Sequence, residues 1–328
     1  MTTTPFPLSI GPLPSAGRYP WASGGQQPYA LNLLVARCHT ERVLKKQGYI
    51  TRASGRNAYK PLPAATGAPK RRVIALDCEM VGLHGGRDGL ARLSAVDFLT
   101  GEVLVDQLVA PTERVADWRT RWSGVTKAGM EAARQAGLAL EGGWAAARAA
   151  LSALADADTV LVGHSLNHDL RALRIAHARV VDSSVLYAEA VFGGGQRKGQ
   201  RPQRMYGLKQ LCAEVLGVDV QAAGRAGHDG LEDALATREL VIRFLARPAD
   251  VRAWAGDARA VFEEQKRRRE EKQRAQAEER ARAKAAAERE EKPPANRDVD
   301  DDEDDGRISL DDFYYQKYLS AVATLELG

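Results

Sequence analysis

The sequence predicts an α/β fold in which a mixed β-sheet is flanked by helices. Three observations predict it: an apolar strand pattern that starts at residue 73, two β-branched runs separated by Thr100 and Gly101, and an alternation of strand and helix patterns that continues to about residue 247. Paired strands followed by strands that alternate with helices are typical of mixed sheets covered on both faces. With 328 residues and 44% hydrophobic content, the chain can bury one core of this kind and still carry extensions.

Residues 1–71 precede this pattern. The first 27 residues are rich in Pro, Gly, Ser and Thr, a composition typical of disorder. The next stretch, YALNLLVARCHTERVLKKQG, has aliphatic residues at roughly helical spacing and ends at Gly48, which predicts a short amphipathic helix whose partner is not visible in the sequence. A basic linker interrupted by Pro and Gly follows, so we expect the folded domain to start near Arg72.

The predicted domain, residues 72–247, begins with a strand at 73–79. The runs ARLSAVDF and VLVDQLVA then predict a hairpin, because Thr100-Gly101 between them is a turn sequence. Helical periodicity from about Thr126 to Leu154, with several alanines, predicts a closely packed helix pair. The remaining elements are predicted as strand, helix, strand, helix and helix, in the order TVLVGHS, LNHDLRALRIA, RVVD, YGLKQLCAEVLG and LEDALATRELVIRFLA.

The composition changes sharply after residue 247. Residues 248–292 are predicted to form a charged helix, in which Glu alternates with Arg and Lys and no sustained apolar seam indicates a coiled coil. Residues 293–328 begin with an acidic tail, where like charges oppose compaction, and end with an aromatic segment predicted to dock as a short helix. We expect the charged helix and the tail to contact a protein partner.

Composition excludes several classes of protein. The net charge of +4 is compatible with a polyanionic partner but does not identify one. Three cysteines, far apart and odd in number, argue against a disulfide framework and against a zinc site of paired CxxC elements. The start of the chain has no apolar signal-peptide region, and nowhere do about 18 apolar residues run together. We therefore expect a soluble protein with no membrane association.

The stretch VIALDCEMVG, residues 73–82, places two carboxylates at the end of an apolar strand. Asp77 and Glu79 are two positions apart, so their side chains point to the same face. Two anions held that close repel each other unless a cation lies between them. A DxE pattern by itself also occurs where acids simply surround the exposed end of a sheet.

Further polar residues follow other predicted elements at the same edge. Asp169 lies in the first turn of the helix after TVLVGHS, at the carboxyl end of a strand, where ligands collect in α/β sheets; a carboxylate interacting with the helix dipole is the alternative. Asp229 and Glu232 resemble a capping box, which places His228 before the last helix and Asp233 in its first turn. Taken alone, His228 is better explained as a histidine in a surface loop.

Two other histidines raise the question of zinc. His164 and His168 are four residues apart, as zinc ligands on one helix face are. Because His164 precedes the predicted helix, we do not expect them to share a face, and a zinc site is disfavoured.

Together, these acids and His228 resemble the three motifs of the DEDDh exonuclease superfamily, which has the RNase H-like fold. The words ALDCEMVG, APTERVADWRTRWSGV, VGHSLNHDL and HDGLEDALAT are similar to its RNA exonuclease and interferon-stimulated exonuclease branch. The likeness spans about residues 72–245 and does not extend to residues 1–60 or 257–328. Asp229, rather than Tyr, occupies the position four before Asp233, so the histidine version of the third motif applies.

This resemblance implies a catalytic set of four acids and one histidine, Asp77, Glu79, Asp169, Asp233 and His228. The acids would bind two divalent cations about 3.5 to 4 Å apart, and hard oxygen ligands favour Mg²⁺ or Mn²⁺ over zinc. His228 would act as the general base that accepts a proton from the attacking water. We expect neighbouring carboxylates to raise its pKa above the ordinary value of about 6.5.

The resemblance also implies 3′-to-5′ hydrolysis that releases nucleoside 5′-monophosphates, with RNA favoured over DNA. Met80 and Leu83 are candidate contacts to the terminal base, with core packing as the alternative. Arg197 and Lys198, in a basic loop at 193–207, are candidate phosphate contacts, although a plain solvated loop is an equally good interpretation. A DNA exonuclease and a non-catalytic scaffold that binds nucleic acid are the alternative functions.

Two basic clusters, at residues 70–72 and 266–269, bear on where the protein acts. Clusters of this kind are compatible with nuclear import. We therefore expect nuclear or nucleolar localisation, with the cytoplasm as the alternative.

Overall fold

The computed structural model describes residues 27–53, 59–67, 70–193, 203–222, 224 and 227–290. The chain divides into two compact units, residues 1–266 and residues 267–328. The helices are α1 Gln27–Arg37, α2 Glu41–Lys46, α3 Thr120–Ser123, α4 Lys127–Gln135, α5 Trp144–Leu154, α6 Asn167–Ala172, α7 Ser183–Phe192, α8 Leu208–Leu211, α9 Gly230–Ala246 and α10 Pro248–Glu290, with a π-helical turn at Cys212–Leu216. The strands are β1 Lys60–Pro61, β2 Val73–Leu83, β3 Asp88–Asp97, β4 Val103–Leu108, β5 Val115–Asp117, β6 Val160–Gly163, β7 Ile175–Ala176 and β8 Val180–Asp182.

The main sheet of the first unit has six strands, with β2 at its centre. The strand order is β4-β3-β2-β6-β8, and β5 pairs with the distal end of β2. Strands β3, β4 and β5 run antiparallel to their neighbours, whereas β6 is parallel to β2 and β8 is parallel to β6. The predicted class, an α/β fold with a mixed sheet flanked by helices, is confirmed.

Both faces of the central strands β2 and β6 are covered, which explains why each of these strands begins as a continuous apolar run. On one face, Ile74 and Leu76 pack in a cluster with Leu151 of α5 and Leu170 of α6. On the other face, alternate strand residues pack in a second cluster with residues of α1, α7 and α9. Burying these two layers of aliphatic side chains is the main stabilising term for the unit, at roughly 25 cal/mol per Å² of apolar surface.

The predicted hairpin between β3 and β4 is confirmed, and its turn has a clear physical cause. Asp97 Oδ1 accepts hydrogen bonds from the backbone N–H groups of Leu99 and Thr100. Gly101 then adopts a left-handed backbone conformation with φ of 75°, which glycine reaches without steric cost.

Two predicted helices differ from those observed. The helix predicted over LNHDLRALRIA ends at Ala172, because Arg174 has a left-handed φ of 54° and the following residues form β7. The single helix predicted over YGLKQLCAEVLG is α8 followed by the π-helical turn. The helix pair predicted from about Thr126 to Leu154 is observed as α4 and α5, and the non-helical segment between them contains Gly137, Gly142 and Gly143 with positive φ.

The described residues before Arg72 pack on the sheet, which we did not expect from the sequence. Leu34 of the predicted amphipathic helix is fully buried in the α9-side cluster. Leu44 and Leu62 are buried in the other cluster, although Leu62 lies in the segment predicted to be a linker. The partner of the predicted helix is therefore the main sheet.

Helix α10 continues from the first unit into the second. In the described part of the second unit, residues 267–287 are exposed, as predicted for a solvated charged helix. No helix in the described ranges is both long enough and apolar enough to cross a bilayer. The predicted acidic tail and docking segment, residues 293–328, lie outside the described residues.

Candidate active site

Strand β2 carries Asp77 and Glu79 past the end of its parallel neighbour. Ala75 pairs with Val162 of β6, and β6 ends one residue later, so from Asp77 onward β2 runs beside β3 without a parallel neighbour, and β5 pairs with it only at Gly82 and Leu83. The two acids follow Val73 and Ala75 in the alternation of the strand, and therefore face α9. The shared face that the spacing predicts is the one observed.

The end of β6 also determines where Asp169 lies. Beyond β6, the backbone N–H of Cys78 has no strand to pair with, and it donates instead to Asp169 Oδ1 at 2.8 Å. Asp169 lies in the first turn of α6, which follows β6 after a short loop. A buried N–H needs an acceptor, so this hydrogen bond fixes the carboxylate of Asp169 against the strand that carries the other acids.

The start of helix α9 positions the third motif. The side chain of Asp229, the N-cap, accepts a hydrogen bond from Leu231 N, and Asp233 lies in the first turn. His228 stands before the helix, as predicted, with its Nδ1 3.6 Å from Asp233 Oδ2. The predicted capping box is only half formed, because the Glu232 carboxylate accepts a hydrogen bond from Gln221 N rather than from the cap.

A backbone contact fixes the loop that holds His228. His228 N donates to the carbonyl of Trp122, in the short helix α3, at 2.8 Å. Gly227, with φ of 88°, lies so close to α3 that a Cβ there would be 2.3 Å from Thr120 O and from Gly124 N. The histidine therefore depends on close packing between two backbone segments.

The structure brings three of the predicted acids into one cluster. Asp77, Glu79 and Asp233 each present a carboxylate oxygen, and these three oxygens lie within 4.8 Å of one another. Asp169 is not part of this trio and adjoins it through Cys78 N. Gly230, the first residue of α9, has no side chain to separate the helix from the strand; a Cβ there would lie 3.4 Å from Asp77 Oδ2.

Burial of these acids raises their pKa values, because the charged form loses its hydration. The pKa of Glu79 rises to about 8, through burial and through the charge of Asp233. The pKa of Asp233 rises to about 7, also through burial, despite a hydrogen bond from Gln221. For Asp77, burial and then the charges of Asp169 and Asp233 hold the pKa well above its usual range, and burial raises the pKa of Asp169.

The prediction for the pKa of His228 was wrong. We expected neighbouring carboxylates to raise it, but it is lowered, because burial disfavours the imidazolium more strongly than Glu232 favours it. A lowered pKa leaves the imidazole neutral near pH 7 and able to accept a proton.

Two residues that the sequence analysis did not single out complete the site. Arg92 of β3 lies opposite Glu79, forms an ion pair with Asp106 at 2.8 Å and another with Asp229 at 2.9 Å, and lowers the pKa of Glu79. Its signal in the sequence was a single cation within an apolar strand. Gln221 Nε2 donates to Asp233 Oδ2 at 2.8 Å, and nothing in its local sequence indicated that contact.

The other candidate residues named from the sequence lie outside the acidic cluster or outside the described residues. Leu83 is buried in a satellite cluster, so core packing describes it, and Met80 is partly buried against the main core. Arg197 and Lys198 lie outside the described residues, so their role stays a prediction. The ring of His164 is within 2.8 Å of Ser183 Oγ, a contact that requires no metal.

Two arginines that follow Asp169 contact the rest of the chain. Arg171 donates to the carbonyl of Gly48, and the guanidinium of Arg174 lies 4.0 Å from the ring centroid of Trp144. Asp182, the N-cap of α7, accepts a hydrogen bond from Ser184 N. All three have roles in packing or capping within the described residues.

The cluster fits a hard divalent cation. All of its ligands are carboxylate oxygens, which Mg²⁺ and Mn²⁺ prefer. Asp233 Oδ1 is buried and accepts no hydrogen bond from the residues that the structure describes. A buried acceptor without a donor, next to two further carboxylates, is a site where a cation would offset repulsion that the protein leaves uncompensated.

Comparisons with known proteins agree on one family. Residues 74–241, just over half of the chain, match the profile of the family described as Exonuclease. The chain is 35% identical over 181 residues to small RNA degrading nuclease 2 of Arabidopsis thaliana, and 37% identical over 181 residues to human RNA exonuclease 5. These matches cover 55% and 53% of this chain, but only 36% and 20% of the two relatives, so the chain spans well under half of either.

A solved structure of the Saccharomyces cerevisiae Pan2 pseudoubiquitin hydrolase-RNA exonuclease module in complex with AACCAA RNA is also similar. Its TM-score is 0.48 at 22% sequence identity, and the match covers 67% of this chain and 36% of that one.

Proposed function

The chain belongs to the Exonuclease family, and from this premise we propose that it hydrolyses RNA from the 3′ end and releases nucleoside 5′-monophosphates. The observation that carries the proposal is the cluster of Asp77, Glu79 and Asp233, with His228 beside it. This cluster lies within the residues that match the family. The choice of RNA is supported by relatives named as RNA exonuclease and small RNA degrading nuclease.

We propose that Asp77, Glu79, Asp169 and Asp233 hold two Mg²⁺ or Mn²⁺ ions. When bound, such ions polarise the phosphodiester, lower the pKa of water and stabilise the leaving 3′ oxygen. Burying these carboxylates costs folding free energy, and it keeps them in position for the positive charge of the ions. Asp169 is held by Cys78 N and Asp233 by Gln221, so two of the four are fixed before any ligand binds.

His228 is the proposed general base. Its Nδ1 faces Asp233, which leaves Nε2 to accept a proton from the attacking water. Burial keeps the ring neutral near pH 7. Arg92 holds Asp229, the residue that follows His228 and caps α9, and so restricts the position of the base.

The test is digestion of matched RNA and DNA oligonucleotides labelled at the 5′ or the 3′ end, with Mg²⁺ or with EDTA. We expect nucleoside 5′-monophosphates released stepwise from the 3′ end of RNA, only with Mg²⁺. Asp77→Ala should abolish this digestion and leave the protein folded. Lys127→Ala, at an exposed position of α4, is the matched control and should retain full activity.

Three other results would contradict parts of the proposal. Faster digestion of DNA than of RNA would replace the substrate class and keep the chemistry. Digestion by Asp77→Ala would show that the site assignment is wrong. Binding of RNA without digestion by the wild type would favour the scaffold alternative.

We also propose that Arg197 and Lys198 contact the phosphate backbone and that Met80 contacts the terminal base. The family assignment and the basic loop composition support these roles. Replacing Arg197 and Lys198 with Gln should raise KM and reduce its dependence on salt, with little change in kcat.

Residence in the nucleus or nucleolus is a further proposal. In the cluster at 70–72, Lys70 donates to the carbonyls of Ser152 and Ala153, and Arg71 pairs with Glu102. Residues 266–269 are exposed on α10, and we assign import to this cluster because of that exposure. The test is the fluorescence of a fusion protein in which the second cluster is changed to Gln, because this variant should no longer accumulate in the nucleus.

A protein partner of the charged helix is proposed on its charge pattern alone, with affinity capture by residues 248–328 as its test.

A further inference from the structure

We propose that the segment 39–50, here called the N-terminal strap, is a positioning element of the active site. It lies outside the residues that match the family. It is linked to both ends of α6, the helix that carries Asp169: through Asp182 at the amino end and directly to Arg171 at the carboxyl end. The inference rests on the proposed function only in taking Asp169 to be a metal ligand.

Helix α6 needs support from outside itself. It has six residues, and its N-cap, Leu166, has no side chain that can accept a hydrogen bond from the first turn. Helices this short are not stable alone, because nucleation is costly and few internal hydrogen bonds form. The position of Asp169 therefore depends on what α6 is tied to.

The first tie lies before the amino end of α6 and runs through Asp182. The Tyr49 hydroxyl, in a buried side chain, donates to Asp182 Oδ2 at 2.5 Å. The other oxygen of Asp182 accepts a hydrogen bond from Ser165 N at 2.9 Å, in the loop just before α6. Ser165 has a left-handed φ of 56°, a conformation that a serine holds only when its surroundings impose it.

The second tie is at the carboxyl end of α6. Arg171, two residues after Asp169, donates from Nη2 to the carbonyl of Gly48 at 2.7 Å and from Nε to the same oxygen at 3.2 Å. Gly48 has φ of 81°, and a Cβ there would be 2.9 Å from Arg171 Nη2. The chain therefore turns at Gly48 in a way that directs its carbonyl at this arginine and leaves room for it.

The strap is itself anchored at both ends. His39 N donates to Val180 O, and Asp182 N donates to His39 Nε2 at 3.0 Å. At the other end, His177 N donates to Ile50 O at 3.0 Å. A strap fixed at both ends can transmit restraint to α6, whereas a loose segment could not. Tyr49 and Arg171 are accordingly the positioning residues.

The test compares two substitutions with a control in the same segment. Tyr49→Phe removes the hydroxyl and keeps the ring, and Arg171→Met removes the guanidinium and keeps an apolar stem. Lys45→Gln is the control, because Lys45 forms its ion pair with Glu41 rather than with α6. The measurements are Mn²⁺ affinity by electron paramagnetic resonance without RNA, kcat and KM on labelled RNA, and the Tm.

We expect Tyr49→Phe and Arg171→Met each to weaken Mn²⁺ binding about tenfold, as loss of a partner that orients a metal ligand does. We expect kcat to fall at subsaturating Mn²⁺ and to recover at high Mn²⁺, with KM for RNA nearly unchanged. Lys45→Gln should behave like the wild type. Should Tyr49→Phe not fold, Arg171→Lys carries the test, because it keeps the charge and loses the second hydrogen bond; we expect a smaller loss of Mn²⁺ affinity from it.

A lower Tm with unchanged Mn²⁺ affinity and unchanged kcat would overturn the inference and leave the strap a purely structural segment. The Mn²⁺ titration also separates this inference from the proposed function. A wild-type protein that bound Mn²⁺ and digested no RNA would contradict the function, and the effect of the strap on Mn²⁺ binding would still be measured.

Discussion

The buried carboxylates make the stability of the metal-free protein depend on pH. A carboxyl whose pKa is raised by folding binds its proton more tightly in the folded state, so its contribution to stability is present below the unfolded pKa, near 4, and is lost as the pH rises through the folded pKa. For Glu79 and Asp233 these folded values are about 8 and about 7. The site therefore opposes folding increasingly from pH 5 to 8.

We expect the Tm of the metal-free protein in EDTA to fall as the pH rises from 5 to 8.5. The free energy of unfolding should fall by an amount on the order of a few kcal/mol over this range. Glu79→Gln should flatten this profile, because it removes one titrating group. Thermal melts across this range measure it, and Mg²⁺ should raise the Tm more at pH 8 than at pH 6. A wild-type profile as flat as that of Glu79→Gln would contradict the assigned pKa shifts.

Gly230 tests how tightly helix α9 must approach the acids. A Cβ at this position would be 3.0 Å from Ser94 Oγ and 3.4 Å from Asp77 Oδ2. We expect Gly230→Ala to lower kcat about tenfold, because a small displacement of reacting groups is costly to rate, and to leave the Tm within a few degrees. Gly256→Ala in α10, where a Cβ meets nothing within 4 Å, should keep full activity and gain slightly in stability.

The sequence predicted the positions of the candidate residues better than their environment. Strand alternation placed Asp77 and Glu79 on one face, and helix-start signals placed Asp169 and Asp233 in first turns with His228 just before the last helix; that the five form one catalytic set was implied by the family resemblance and stays a prediction. The contacts of Arg92 and Gln221 were not predictable, since both depend on long-range packing. The sign of the pKa shift of His228 was missed for the same reason. Nearby acidic residues can be identified in the sequence, but the degree of burial, which lowers the pKa, cannot.

Among the elements, the contact between α3 and the loop before α9 holds the proposed base. Gly227→Ala would place a Cβ 2.3 Å from backbone atoms of α3. We expect it to lower kcat at least tenfold, since the loop must move and take His228 with it. The measurement is kcat at saturating RNA, with circular dichroism as the check on folding.

Gly217→Ala is the matched control for this change. Gly217 also has a positive φ, 70°, but a Cβ there meets nothing within 4 Å. It should cost only the backbone strain of about 1 kcal/mol and leave kcat unchanged. Equal kcat values for the two variants would show that close packing at Gly227 does not position the base.

Element prediction succeeded where one physical signal was dominant. Apolar runs located β2 and β6, and the cap and first turn located α9 to the residue. The end of α6 was missed because Arg174 adopts a left-handed conformation that helical periodicity does not reveal. The three residues of β5 are too few to form a sequence pattern. They form a strand because the distal end of β2 pairs with them.

At the scale of the whole molecule, the segment before Arg72 contributes to the main core. Leu34 and Leu44 are fully buried, on opposite faces of the sheet. We expect Leu44→Ala to destabilise the protein by about 2 to 5 kcal/mol, in one cooperative transition. Urea unfolding followed by fluorescence measures this, and Val35→Ala, at a 40% exposed position, should have little effect.

A separate early transition, or a loss no larger than that of Val35→Ala, would show that the segment folds independently of the sheet. Its packing was not predictable from its own composition. A weakly amphipathic helix and a Pro-containing stretch have the same local sequence pattern whether they pack on a sheet or remain in solvent. The domain boundaries proposed from the sequence therefore stay predictions.

The alternation of β2 that turns Asp77 and Glu79 toward α9 turns Cys78 the other way, into the hydrophobic core. Burial and the adjacent acids hold the pKa of its thiol well above the usual range, and burial raises that of Cys212 to about 12. Since the thiolate is the reactive form, we expect iodoacetamide to leave both unmodified in the native protein, as mass spectrometry of the treated protein would show. Of the three cysteines, Cys38, which is only partly buried, is then the thiol on which we expect any modification to fall.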